Sequence, residues 1–251
     1  MLSASGRLLP PAVQKVLRKI LRRNKHVNAA RNTTSFHRDA EPGPLVTGVF
    51  NYIKTIPGWF NIDDCAHFYL ILSMQSALGL KGDLFEIGSY HGRSTAVMAY
   101  CLKDGEKIVV CDAFEGDTDD HYANKPSPQK LIENVRLVNP GLTPSRVVIH
   151  QCLSSELSLE RDAKFRFAHI DGGHSREATW GDLLLCQDHI LPGGVIALDD
   201  YKHKDWPGVT PAVEDFLAQF KEFSILADLN RHGAIGRKLY LIKNGRRPPQ
   251  T

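Results

Sequence analysis

The sequence predicts a doubly wound α/β fold: a seven-stranded, mostly parallel sheet with helices on both faces and an antiparallel hairpin at its C-terminal end. Three observations predict it. Short apolar strands alternate with helical patterns from about residue 84 to residue 220. A turn containing glycines joins the first strand directly to a helix. Acidic residues stand at the ends of the second, fourth and fifth strands, the edge along which such sheets bind ligands.

The elements follow in order. Asp63 and Asp64 are placed to cap a helix running to about Leu80, which offers Phe68, Leu70, Ile71, Leu72 and Met74 to a core. Residues 84–87 read as a strand, 93–102 as a helix and 107–111 as a strand. A helix over 128–138 leads to strands at 146–150 and 165–170. A helix over 177–190, a strand at 195–198 and a helix over 209–220 come next. Strands at 224–228 and 239–243 close the pattern, with residues 230–236 as the hairpin loop. This divides the chain into a basic arm and linker (1–44), a helical cap region (45–81), the α/β domain (82–244) and a tail (245–251).

Composition narrows the class. A 251-residue chain that is 42% hydrophobic and 24% charged buries a core of ordinary size. The net charge of +3 selects no partner, but its distribution is uneven. No acidic residue occurs between Met1 and Arg38, where nine lysines and arginines fall. Residues 11–24 carry Val13, Val16, Leu17, Ile20 and Leu21 at helical spacing among these charges. A docking or partner-binding arm is the preferred reading; a basic amphipathic helix on an anionic surface is the second. The basic, Ser- and Arg-containing start of the chain also resembles a mitochondrial presequence, the less favoured reading, and a cytoplasmic location is expected. Five scattered cysteines without a CxxC pair suggest neither zinc nor a disulfide framework. No apolar run reaches the roughly 18 residues of a membrane span. The core shows no basic stripe or aromatic series, so nucleic acid is not an expected partner.

The first strand ends in Phe85-Glu86-Ile87-Gly88-Ser89-Tyr90-His91-Gly92-Arg93-Ser94-Thr95. Glycines in a strand-to-helix turn let backbone N–H groups approach a ligand. A dinucleotide turn requires GxGxxG, whereas Glu86, Gly88 and Gly92 form ExGxxxG. A carboxylate beside such a turn suits a ligand with an ammonium or other polar groups. Asp112 ends the second strand, 24 residues after Gly88, and is placed to take two ribose hydroxyls. Phe114 is placed to pack on a base. His91 reads equally as a group facing substrate or as a surface side chain.

LFEIGSYHGRST followed by VVCDAF resembles motifs I and II of the class I S-adenosylmethionine (SAM)-dependent methyltransferases, whose fold is Rossmann-like. The resemblance implies a methionine-binding turn at Glu86, Gly88, Ser89, Tyr90 and Gly92, with Ser94 and Thr95 near the carboxylate. It also implies a ribose contact at Asp112 and, more loosely, an adenine pocket lined by Gln151 and Ser154.

The fourth strand ends in His169-Ile170-Asp171-Gly172-Gly173-His174 and the fifth in Ala197-Leu198-Asp199-Asp200-Tyr201. If these strands are neighbours, Asp171, Asp199 and Asp200 converge, and three carboxylates need compensation. A divalent cation is the expected remedy, and oxygen ligands favour Mg²⁺ or Mn²⁺. Such an ion would fix and acidify a substrate hydroxyl beside the methyl group. His174 is the candidate base, with Asp171 at the same centre. Tyr201, His203 and Trp206, in a loop with Lys202 and Lys204, either line the acceptor pocket or are merely exposed. Residues 115–127 form a long polar loop, expected to be a lid.

The segment from His169 to Phe216 resembles more closely the branch that holds macrolide and aminocoumarin sugar O-methyltransferases and the proteins related to cephalosporin hydroxylase. In its metal-dependent members the acids matching Asp171, Asp199 and Asp200 bind Mg²⁺, and a histidine placed like His174 is a proposed base. One subgroup has an aspartate where this chain has Gly173, so that version of the mechanism does not apply. The resemblance covers roughly residues 82–243 and implies methylation of a hydroxyl on a small polyhydroxy acceptor, a sugar or natural-product glycoside; a homo-oligomer is expected. A catechol or phenol acceptor, a component of a hydroxylation system and a non-catalytic SAM-binding protein remain as alternatives.

Overall fold

The computed structural model describes residues 49–114, 125–231 and 236–245, all within one unit spanning Gly43–Thr251. The basic helix expected at 11–24, the linker and residues 115–124 of the polar loop lie outside the described residues.

The elements are α1 (Phe50–Ile53), α2 (Ile62–Ala77), β1 (Asp83–Ile87), α3 (Arg93–Tyr100), β2 (Ile108–Cys111), α4 (Pro128–Val138), β3 (Val147–His150) and β4 (Phe165–Ile170). Then come α5 (Arg176–Gln187), β5 (Ile190–Tyr201), α6 (Val209–Gln219), β6 (Phe223–Asn230) and β7 (Arg237–Lys243). The strands form one seven-stranded sheet in the order β3-β2-β1-β4-β5-β7-β6. The strands β1 to β5 run parallel, and β7 enters antiparallel between β5 and β6.

Period-two alternation sorts the side chains between the faces. Leu84, Ile108, Phe167, Ala197 and Tyr240 meet the face covered by α2, α3 and α4, where Phe68, Leu72, Val97 and Leu131 are buried. Phe85, Val109, Ala168, Leu198 and Leu241 meet Leu183 of α5 and Val213 and Phe216 of α6. Both faces are therefore buried, and the central strands read as nearly continuous apolar runs for that reason.

Several boundaries differ from the sequence reading: the helix read as 177–190 ends at Gln187, and the last two strands run longer, over Phe223–Asn230 and Arg237–Lys243. Asn61, not Asp63 or Asp64, caps α2: its side chain accepts from the Asp64 N–H at 3.0 Å while Asp64 accepts from the Asn61 N–H at 3.0 Å. The helix ends at Ala77, short of Leu80, because the chain turns through Gly79. The fifth strand starts at Ile190 rather than residue 195, since Ile190 pairs with Phe165 before an irregularity at 191–194. A buried polar cluster secures the opposite edge of the sheet. Arg166 of β4 binds Glu106 at 2.8 and 2.9 Å, Gln75 at 3.2 Å and the Cys101 carbonyl at 2.9 Å. Among the described residues, no helix is long and apolar enough to cross a membrane.

Candidate active site

At the carboxyl edge of the sheet, on the α2 face, the apolar alternation gives way to a polar row. Glu86 stands two residues after Leu84, and it pairs in register with His169, two residues after Phe167. Asp199 follows Ala197 by two, and Lys238 precedes Tyr240 by two. All four are buried. His169 Nδ1 lies 2.8 Å from Glu86 Oε1, and Nε2 lies 3.2 Å from Asp199 Oδ2. Lys238 Nζ donates to that same Asp199 oxygen and lies 3.2 Å from His169 Nε2. The far oxygen of Glu86 accepts from the Thr95 hydroxyl. Burial and the Lys238 ammonium work against a charged His169, but Asp199 and Glu86 outweigh them and push its pKa up to about 9. Burial disfavours ionised Asp199, yet Lys238, His169 and Arg231 hold its carboxyl well below the usual range.

The glycine turn sits on this row. Gly88 has φ +78°, and a Cβ placed there would come within 1.9 Å of the Asp171 carbonyl oxygen. Only glycine lets β1 leave the sheet pressed against the end of β4. Gly92, at φ +81°, caps α3, where a Cβ would meet Leu131 at 2.8 Å. Asp112 folds back on the turn. Its Oδ2 accepts from the Ser89 N–H at 2.6 Å, the Ser89 hydroxyl at 3.0 Å and the Tyr90 N–H at 2.7 Å, while Oδ1 accepts from the Phe114 N–H at 2.7 Å. Ser94 is buried in the first turn of α3, and Phe114 is buried in the α3-side core. Tyr90 meets Trp59, with ring centroids 5.4 Å apart. Beyond β3, Gln151 is exposed and Ser154 opens a short 3₁₀ turn. His91 is buried, so its surface reading does not hold.

The end-of-strand acids converge as the strand order requires. His169, Asp171 and Asp199 place ligand atoms within 4.8 Å of one another, and so do Asp171, His174 and Asp200. Asp200 sits at φ +58°, where the pairing of β5 with β7 shifts register. Its Oδ2 lies 2.9 Å from His174 Nε2. That contact raises the His174 pKa above its ordinary value, against the effect of burial. The ring stacks on Trp206 at 4.4 Å between centroids, so the loop 203–206 does border the histidine. Asp171 keeps surface toward solvent but is ringed by protein. That desolvation, with the neighbouring Asp199 charge, pushes its carboxyl up to about 7.

The sequence reading missed the cations at this edge. Arg231 Nη1 lies 2.8 Å from Asp199 Oδ1 and 3.3 Å from Asp64 Oδ2, and Nη2 lies 3.9 Å from Asp200 Oδ1. Lys238 Nζ lies 3.8 Å from Asp64 Oδ1. Both oxygens of Asp199 are thus already engaged by side chains. An ion at Asp199 would compete with these cations, whereas Asp171, His174 and Asp200 form a group that could hold one without it. Period two would have shown that Lys238 shares the inward face of Tyr240 and Ile242.

Residues 85–201, from β1 to the end of β5, match the model of a family described as a methyltransferase domain. Over those residues the chain is similar to a methyltransferase domain. Comparison with the curated proteins gives no match. Among solved structures, the O-methyltransferase NovP superposes with a TM-score of 0.58 at 20% identity, over 74% of this chain and 81% of that one. CalS11, a TDP-rhamnose 3'-O-methyltransferase of calicheamicin biosynthesis, gives 0.57 at 17% identity, over 94% of this chain and 96% of that one. A putative O-methyltransferase from Klebsiella pneumoniae gives 0.56 at 17% identity, over 82% and 93%. At these identities the likeness is one of fold.

Proposed function

We propose that the protein transfers the methyl group of SAM to a hydroxyl of a small polyhydroxy acceptor, with His174 as the base. One observation carries this reading: the Gly88 turn lies against Asp171, so the donor site and the acid–histidine cluster share a wall. The turn between Gly88 and Gly92 presents backbone to the methionine part of SAM. Asp112 stiffens that turn and keeps oxygen lone pairs for the ribose. Phe114, Gln151 and Ser154 border the adenine side.

Across the shared wall, His174 is aimed by Asp200 and braced by Trp206. Its neutral form takes the acceptor proton as the oxygen attacks the methyl carbon. The new C–O bond forms, the C–S bond breaks, and its electron pair returns to sulfur, which leaves as the neutral thioether. Asp171, with its carboxyl near 7, is close enough to share that proton. No step is assigned to Mg²⁺ or Mn²⁺, because Asp199 is committed to Lys238 and Arg231.

CalS11 acts on a rhamnosyl nucleotide, which makes nucleotide sugars and glycosides the first acceptors to try. The test is calorimetric titration of the full chain with SAM, then assay of labelled methyl transfer to sugar and catechol panels. Micromolar SAM binding and a methylated sugar hydroxyl are expected. Absence of SAM binding would overturn the reading, and transfer only to catechols would replace the acceptor class.

A further inference from the structure

We infer that Lys238 and Arg231 supply the positive charge that a divalent cation would otherwise bring to this carboxylate edge, so that the site works without a metal. The ion pairs alone carry the charge argument; its meaning for catalysis rests on the methyl-transfer reading above. Five carboxylates (Asp64, Glu86, Asp171, Asp199 and Asp200) meet four basic side chains (His169, His174, Arg231 and Lys238). Asp199 is the centre of the set. Lys238 and His169 engage its Oδ2, and Arg231 engages its Oδ1. A cation binds carboxylate oxygen at about 2.0–2.6 Å. An ion at either oxygen of Asp199 would therefore have to displace an ammonium or guanidinium held at hydrogen-bond distance.

The two cations come from places suited to a permanent role. Lys238 is fully buried on β7, between Asp64 of α2 and Asp199 of β5. Phe60 and Phe68 stand 5.3 Å from its Nζ, so their rings wall the ammonium from water. Arg231 leaves the end of β6 and spans Asp64, Asp199 and Asp200. Through Asp200 it also sets the position of His174, which makes it a positioning residue for the base.

The test titrates chelator-treated full-length protein with Mn²⁺, followed by electron paramagnetic resonance, and repeats it on Arg231→Gln and Lys238→Met. Wild type is expected to show no Mn²⁺ binding tighter than about 1 mM that Asp171→Asn or Asp199→Asn removes. Arg231→Gln is expected to bind Mn²⁺ at least about tenfold more tightly and to gain several degrees in Tm when Mn²⁺ is added. Lys238→Met, if it folds, should gain more; Arg231→Gln at the rim decides the matter if it does not. Micromolar Mn²⁺ binding by wild type, lost in Asp171→Asn or in Asp199→Asn, would overturn the inference. So would an Arg231→Gln protein that folds and gains no Mn²⁺ affinity. Neither readout uses SAM, so failure of the methyl-transfer reading would be seen separately.

Discussion

His174 lies ring on ring with Trp206, the planes 18° apart, while its Nε2 faces Asp200 at 2.9 Å. An imidazole held on its face and at one nitrogen has little freedom left, as a proton acceptor for a hydroxyl requires. Because Asp200 raises its pKa, the neutral form gains ground only above the ordinary histidine value.

Methyl transfer should therefore rise with pH through a midpoint above 6.5, the ordinary histidine value. Asp200→Asn removes the stabilising charge and should move that midpoint downward. His174→Ala should lower kcat by about 10²–10⁴-fold, with SAM affinity little changed. A pH–rate series on the three proteins checks this, and an unmoved midpoint in Asp200→Asn would assign the titration elsewhere.

Asp112→Ala removes a carboxylate that accepts from Ser89, Tyr90 and Phe114. Hydrogen bonds to a charged group contribute about 1.5–3 kcal/mol each, so SAM binding should weaken by about tenfold or more. Calorimetry is the measurement; unaltered affinity would confine Asp112 to shaping the turn in the free protein.

Gly88→Ala sets a methyl group against the Asp171 carbonyl at a positive φ. The strain has no flexible side chain to absorb it, since the obstacle is backbone. Folding should be lost, or Tm lowered by about 5 °C or more. A folded variant of wild-type Tm would mean that β1 and β4 end farther apart than described.

Arg166→Met strips the partner from buried Glu106. Burial works to raise the Glu106 pKa, and the bonds from Arg166 and the Lys103 N–H more than reverse it. A depressed carboxyl pKa stabilises the fold above the ordinary value of 4.5, and that contribution fades as pH falls through the folded pKa. The variant should lose about 3–5 kcal/mol at pH 7 and distinctly less in acid. Urea unfolding at both pH values measures this; equal losses would point to packing alone.

Much of the fold was legible because burial on both faces writes itself into short apolar strands, and the helices between them keep their spacing. Gly88 and Asp112 were legible because a tight turn and a strand-end acid are local features. The charge pattern was not. Glu86 reads as a carboxylate beside a ligand turn, but it faces His169, 83 residues away, across the β1–β4 register. Asp199 reads as a metal ligand until β7 is known to lie next to β5, which brings Lys238 from 39 residues away. Strand order, rather than any local signal, decides which charges meet.

The place of β7 also bears on synthesis. Residue 238 is made after every parallel strand, yet it inserts between β5 and β6 and carries the partner of Asp199. During translation the first five strands can gather while that buried carboxylate still lacks its ammonium. A nascent chain paused before β7 would hold Asp199 with His169 and Arg231 but without the Lys238 ammonium, and would depend on water or chaperones until the last strand slid home.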